Sequence, residues 1–189
     1  MKKIIVSLHT SLDGFVGGPN GEMDWIRFDE AMFDLVKIMT DHADTALYGR
    51  VTYQMMDSYW PGAGDNPGAS KHDIEHSQWY NTVNKIVLSR TLQNPDLYKT
   101  TFVGEDIMDN IANQKLEKGK NILIFGSPSA VHTLMEHGLI DEYWLFINPV
   151  VLGRGIPLFS NISGKKDLKL KATKTFECCV VGLHYEVLK

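Results

Sequence analysis

The chain has 189 residues, 43% of them hydrophobic and 22% charged, the profile of one globular domain with a sizeable core, expected to span residues 1–189. Its net charge of −4 argues against a general nucleic-acid or anionic-membrane surface, so any basic character has to be local. The two cysteines, Cys178 and Cys179, are neighbours and exclude a disulfide framework, and no apolar run approaches the ~20 residues that span a bilayer.

Residues 3–8 are a β-branched apolar run that predicts a first, buried strand. The Met-Lys-Lys start leads into it without a secretion cleavage site, so a cytoplasmic location is expected. A glycine-rich segment over 11–21 reads as a flexible loop able to close over a ligand. Phe28, Met32, Leu35, Val36 and Met39 fall at helical spacing and predict an amphipathic helix over 28–39. A short strand over 45–48 then meets Gly49-Arg50 and a helical stretch over 51–57. Residues 60–70, with two prolines and three glycines, read as a loop. A helix over 73–81 follows, then a strand over 85–88 that ends in Ser89-Arg90. Residues 100–103 read as another strand, and Ile107, Ile111 and Leu116 mark the next helix.

The run over 122–125 predicts a strand buried on both faces. Gly126 breaks it, Ser127 reads as the cap of the following helix, and Pro128 suits a first helical position. Val131, Leu134 and Met135 share a helical face, and Gly138 ends the helix. A further strand over 142–148 leads into the segment 149–159. Two alternating segments, 168–176 and 180–187, read as an antiparallel hairpin. Strand–helix alternation through most of the chain predicts an α/β domain with helices on both sheet faces. The stretch 143–152 is apolar on both alternating faces. Near a sheet edge it would need cover from a second copy, so a two-fold homodimer is expected; the alternative is a central strand covered by the same chain.

Three strand ends carry the chemistry. Gly126-Ser-Pro-Ser129 turns a strand into a helix, which aims backbone N–H groups at one point, as α/β proteins do to hold phosphate. At Gly49-Arg50, glycine permits close backbone approach and arginine adds a fixed charge beside a helix N-terminus. Ser89-Arg90 offers a hydroxyl and a guanidinium. No Gly-x-Gly-x-x-Gly or phosphate-loop motif occurs, and the seven histidines do not cluster at metal-ligand spacing, so no metal is expected. Asn161-Ile-Ser163 is a glycosylation sequon that matters only in a secreted protein.

In order and spacing, Ser11-Leu-Asp-Gly14, Leu47-Tyr-Gly-Arg-Val-Thr-Tyr53, Val87-Leu-Ser-Arg90, Ile124-Phe-Gly126, Gly138-Leu-Ile-Asp-Glu142 and the 149–159 segment form a pattern covering nearly the whole chain. It resembles the dihydrofolate reductase superfamily, and within it the C-terminal reductase domain of the bacterial bifunctional riboflavin deaminase–reductase. The resemblance implies a three-layer α/β/α sandwich with a central mixed sheet of about eight strands and an NADPH site across its carboxyl edge. Gly49, Arg50 and Thr52 would hold the pyrophosphate region. Leu88, Ser89 and Arg90 would line the adenosine end, with Ser89 and Arg90 facing the 2′-phosphate. Gly126, Ser127, Pro128 and Ser129 would cover the other side of the pyrophosphate, with Val131 nearby, and Val16 and Gly17 would shield the nicotinamide. It also implies a dimer and, with no deaminase half in these residues, a stand-alone reductase.

The expected activity is NADPH-dependent reduction of a small heterocyclic or carbonyl/imine substrate, with 5-amino-6-(5-phosphoribosylamino)uracil of riboflavin biosynthesis as the named candidate. A non-catalytic NADP(H)-binding sensor and a dihydrofolate reductase are the alternatives. Folate reductases carry a Trp followed five residues later by an acid; Trp25 here is followed by Asp29 and Glu30, in a Met-Asp-Trp context that differs from the folate enzymes. Asp13, Asp24 and Asp29 are candidate proton donors that equally suit turn or cap positions. Trp25 and Trp60 are candidates to stack on a planar substrate, or to pack in the core.

Overall fold

The computed structural model describes residues 1–94, 96–160 and 162–188, so the Asn161 sequon lies outside the described residues. The first half of the chain runs β1 (Ile4–Thr10), β2 (Phe15–Gly17), α1 (Glu30–Asp41), β3 (Ala43–Gly49), α2 (Arg50–Ala63), α3 (Lys71–Thr82), β4 (Asn84–Leu88) and β5 (Thr100–Val103). The second half adds α4 (Ile107–Leu116), β6 (Asn121–Phe125), α5 (Pro128–Glu136), β7 (Glu142–Ile147), β8 (Ile156–Pro157), β9 (Leu168–Thr175) and β10 (Val181–Val187). Eight strands form one sheet in the order β5-β4-β3-β6-β1-β7-β10-β9, and β2 pairs with β8 separately. The six strands from β5 to β7 are mutually parallel; β10 is antiparallel to both of its neighbours. The expected mixed, mostly parallel sheet and terminal hairpin are both present.

Strand alternation builds two cores. Ile4, Val6 and Leu8 of β1 and Ile122 and Ile124 of β6 face α4 and α5, meeting Ile111, Val131 and Leu134. Ile5, Leu123 and Phe125 face the other way, toward Met32 of α1, Tyr53 of α2 and Tyr80 of α3. Helices on both faces explain why the strands read as continuous apolar runs, and each fully buried Leu or Ile contributes ~1.5–3 kcal/mol.

Several boundaries differ from the sequence expectation. The Asp29 carboxylate accepts the Met32 N–H at 2.9 Å as the N-cap of α1, which leaves Phe28 outside the helix. Helix α2 continues to Ala63, so Trp60 and Pro61 are helical rather than part of a loop. Proline costs one backbone hydrogen bond near the helix end, and packing of Trp60 at 4.1 Å from His76 of α3 offsets it. A reciprocal Ser70–Asp73 capping box starts α3 earlier than expected. The glycine segment is not a free loop, because β2 pairs with β8 and Asp13 accepts N–H groups from Leu152 and Gly153 at 3.1 and 2.7 Å.

The edge position inferred for the 143–152 stretch is corrected: β7 lies inside the sheet, between β1 and β10. Tyr143 and Leu145 pack into one core and Phe146 into the other, so the same chain covers both faces. The sheet edge on this side is β9, where every residue is exposed. No helix among the described residues is long and apolar enough to cross a membrane.

Candidate functional site

A cleft of about 1260 Å³ opens across the carboxyl ends of β1, β3, β4, β6 and β7. One half is built by the strand ends singled out in the sequence. Gly49, Arg50 and Thr52, Leu88, Ser89 and Arg90, and Gly126, Ser127, Pro128 and Ser129 all line it, with Val16 and Gly17 of β2 beside them. Val131 does not. It is fully buried in the α5 core face beside Leu134, because it lies one turn into the helix and points at the sheet.

Ser127 is not the side-chain cap that the sequence suggests. It follows Gly126 in the left-handed region, with φ of 64° after 69°, and no side-chain cap bond forms. Its Oγ accepts the Gly49 N–H at 2.7 Å instead, tying the end of β6 to the end of β3. A Cβ at Gly49 would meet that Oγ at 2.5 Å, so this close approach requires glycine. A serine held at positive φ is strained backbone of the kind found at binding sites. Ser89 has a similar arrangement: its Oγ accepts from the Thr91 and Leu92 N–H groups at 3.2 and 2.8 Å. Both hydroxyls accept from backbone, which leaves their O–H protons available to a ligand in the cleft. The first turns of α2 and α5 open into the same space without side-chain caps. Arg50 and Arg90 are exposed at the rim, and Arg50 Nη1 donates to Gln54 Oε1 at 3.1 Å.

The other half is apolar and ringed with aromatics. Met32, Phe33 and Val36 of α1, Met55, Met56 and Trp60 of α2, and Phe125 and Phe146 at strand ends line it, and Phe28 lies 51% exposed there. His9, His72 and His76 join them. Burial pushes His9 down to about 4 and His76 to about 3, so both rings are neutral at pH 7. Burial also lowers His72, against the pull of Asp73 and Glu75. Nδ1 of His76 is buried without a hydrogen-bond partner.

The three candidate proton donors stand elsewhere; among the described residues no carboxylate lines the cleft. Burial opposes ionisation of Asp29, but N–H groups of Met32 and Cys178 outweigh it and hold its carboxyl below the usual range. Asp13 is held low by Ser11 and by the Gly153 and Leu152 N–H groups. Asp24 is exposed on the preceding turn. Trp25 also misses the cleft, donating its Nε1–H to Glu22 O at 3.0 Å, whereas Trp60 lines it. The three histidines went unnoticed in the sequence. One local signal existed: His72 and His76 are four residues apart, and so share a face of α3.

Comparison with known proteins agrees with this architecture. The chain is 36% identical over 186 residues to the uncharacterised protein YyaP of Bacillus subtilis, covering 97% of this chain and 94% of that one. It is 31% identical over 188 residues to the uncharacterised YwjB of the same organism, covering 97% of each. Among solved structures, a putative riboflavin biosynthesis protein from Shewanella sp. PV-4 superposes with a TM-score of 0.74 at 23% identity, covering 99% of both chains. A pyrimidine reductase-like protein from Corynebacterium diphtheriae gives 0.69 at 16% identity, covering 100% of this chain and 92% of that one. At these identities the structures speak for a shared dihydrofolate reductase-like fold. Residues 2–181 match the RibD C-terminal domain, and the chain belongs to that reductase-like family.

Proposed function

We propose that the chain is an NADPH-dependent reductase of a small heterocyclic or carbonyl/imine compound. The observation that carries the reading is the phosphate cradle. Two uncapped helix N-termini, two serine O–H donors and two arginines converge in a cleft half that, among the described residues, no carboxylate lines. Such a donor set suits a pyrophosphate and an added 2′-phosphate, and the absence of an acid there disfavours a free ribose 2′-hydroxyl.

In this reading Gly49, Arg50, Thr52 and Gly126 to Ser129 would hold the pyrophosphate, and Ser89 and Arg90 the 2′-phosphate. Bound NADPH supplies the hydride. The chain's own part is to orient the two partners and exclude water, with Val16 and Gly17 of the pinned β2 strand covering the junction of the halves. Solvent would supply the proton, since Asp13, Asp24 and Asp29 do not reach the cleft and His9 and His76 are neutral. Asp29 is occupied as a helix cap and Glu30, five residues after Trp25, does not line the cleft, which leaves dihydrofolate reduction without its acid. A sensor would bind NADPH without consuming it. Calorimetry with NADPH and NADH, joined to steady NADPH oxidation over a carbonyl panel, tests the reading: tight NADPH binding without turnover favours the sensor, and no binding removes both.

The phosphoribosyl-aminouracil suggested by the resemblance needs a cation for its phosphate. Among the described residues, Arg50 and Arg90 are the charged side chains lining the cleft, and both belong to the cradle.

We also propose a two-fold homodimer, through the outer β9–β10 face rather than β7. Among the described residues no helix packs extensively on these strands, and Leu168, Leu170 and Val181 are exposed there beside half-buried Tyr185 and Val187. Light scattering should give about twice 21.3 kDa, and Leu170→Glu should return the monomer. A monomeric wild type removes this proposal.

A further inference from the structure

The cleft half beyond the cradle has a composition that selects its occupant. His9 stacks on Phe146 with centroids 5.1 Å apart and meets Phe28 edge-on at 4.9 Å. Across the cleft, Trp60 packs on His76 at 4.1 Å. Among the described lining residues of this half none is charged at pH 7. A phosphorylated or carboxylated substrate would be desolvated here without a counter-ion, which costs more than ring contacts return. A planar, uncharged one loses little on entering and stacks on the walls.

Asn148 orients the polar group on the floor. Its Oδ1 accepts the Arg27 N–H at 2.9 Å, so its Nδ2 must be the donor, reaching Phe146 O at 3.1 Å and His9 Nδ1 at 3.2 Å. His9 Nδ1 is therefore an acceptor, and the neutral ring carries its proton on Nε2. Buried Asn148 thus sets the tautomer of a histidine 139 residues away.

We infer that this half binds an uncharged, planar, conjugated carbonyl compound whose oxygen accepts a hydrogen bond from Nε2–H of His9. The inference rests on the reductase reading. Hydride from NADPH forms a C–H bond at the carbonyl carbon, and the C=O π pair moves to oxygen. That oxygen takes a proton from solvent to become a hydroxyl, and NADPH leaves as NADP⁺. The Nε2–H group stabilises the charge developing on oxygen and keeps its own proton.

Calorimetry with NADP⁺ present prevents turnover and isolates binding. Indole-2,3-dione serves as the neutral planar probe, against 5-amino-6-(5-phosphoribosylamino)uracil. The neutral probe should bind at least about tenfold more tightly. His9→Phe should weaken it about tenfold and leave NADP⁺ affinity unchanged, while His9→Gln, which keeps a donor, should recover most of the loss. Tighter binding of the phosphoribosyl compound, or an unaffected His9→Phe, overturns the inference. If NADP⁺ itself does not bind, the reductase reading fails, and the same two probes titrated alone still decide the preference of this half. Should His9→Phe not fold, the wild-type preference decides by itself.

Discussion

The two halves of the cleft are made by different kinds of sequence. The cradle comes from strand ends followed at once by their helices: Gly49-Arg50, Ser89-Arg90 and Gly126 to Ser129. The apolar half is gathered from α1, α2, α3, β1 and β7, and ring pairs within it join distant residues such as His9 with Phe146 and Phe33 with His72. One half offers donors and positive charge, the other rings and methionines. A charged cofactor and a neutral substrate would require opposite surroundings, which is how the proposed function divides this cleft.

Trp60→Ala should break the comparison most strongly, because it opens one wall of the apolar half only. A neutral planar probe should lose ~2–4 kcal/mol of affinity, an aromatic hot-spot loss, while NADPH changes little by calorimetry. Equal losses for both would mean that the halves are not separable. Arg90→Ala is the reciprocal change. It should weaken NADPH by ~1.5–3 kcal/mol, the worth of a charge-assisted contact, and leave NADH and the neutral probe unaltered. An equal loss for NADH would remove Arg90 from the 2′-phosphate.

The histidines sharpen the contrast through pH. His9 and His76 have folded values of about 4 and about 3 against an ordinary 6.5, so as pH falls the unfolded chain takes up their protons first. Their contribution to stability is whole above 6.5 and is lost as pH falls toward the folded values. From pH 7.5 to 5.5 urea unfolding should lose about 1 kcal/mol for each ring. His76→Phe should remove its share of that slope, and an unchanged slope would show that His76 is not buried neutral. Ser127→Gly is the smallest test. It relieves the left-handed serine but deletes the Oγ link to Gly49, so stability should stay near wild type while NADPH weakens roughly fivefold (~1 kcal/mol).

Legibility followed the same division. Alternation and apolar runs predict the eight main strands and the hairpin, and the cradle is local enough to read from glycine, serine and arginine at strand ends. Even there, Ser127 holds the N-cap position of α5 but its side chain makes no cap bond, because its partner, the Gly49 N–H, is 78 residues away. Val131 is placed near the site only by the resemblance, and a helix turn sends it to the core. The carboxylates looked chemical but serve backbone N–H groups, Asp29 at a helix start and Asp13 across the β7–β8 connection. Helical spacing alone does not mark His72 and His76 as site residues, because only the fold brings Trp60 of α2 against them. The doubly apolar β7 read as an edge needing a partner, and only the sheet order reveals β10 beside it.

The division of the cleft is tested most directly by a crystal structure of the protein soaked with NADPH. The account predicts pyrophosphate density between the N-termini of α2 and α5, in reach of the Ser127 and Arg50 side chains. The adenosine phosphate should lie at Ser89 and Arg90, and the nicotinamide should point toward His9 and Phe146. Cofactor density confined to the ring-lined half, or a phosphate seated away from Gly49 and Ser127, would contradict it.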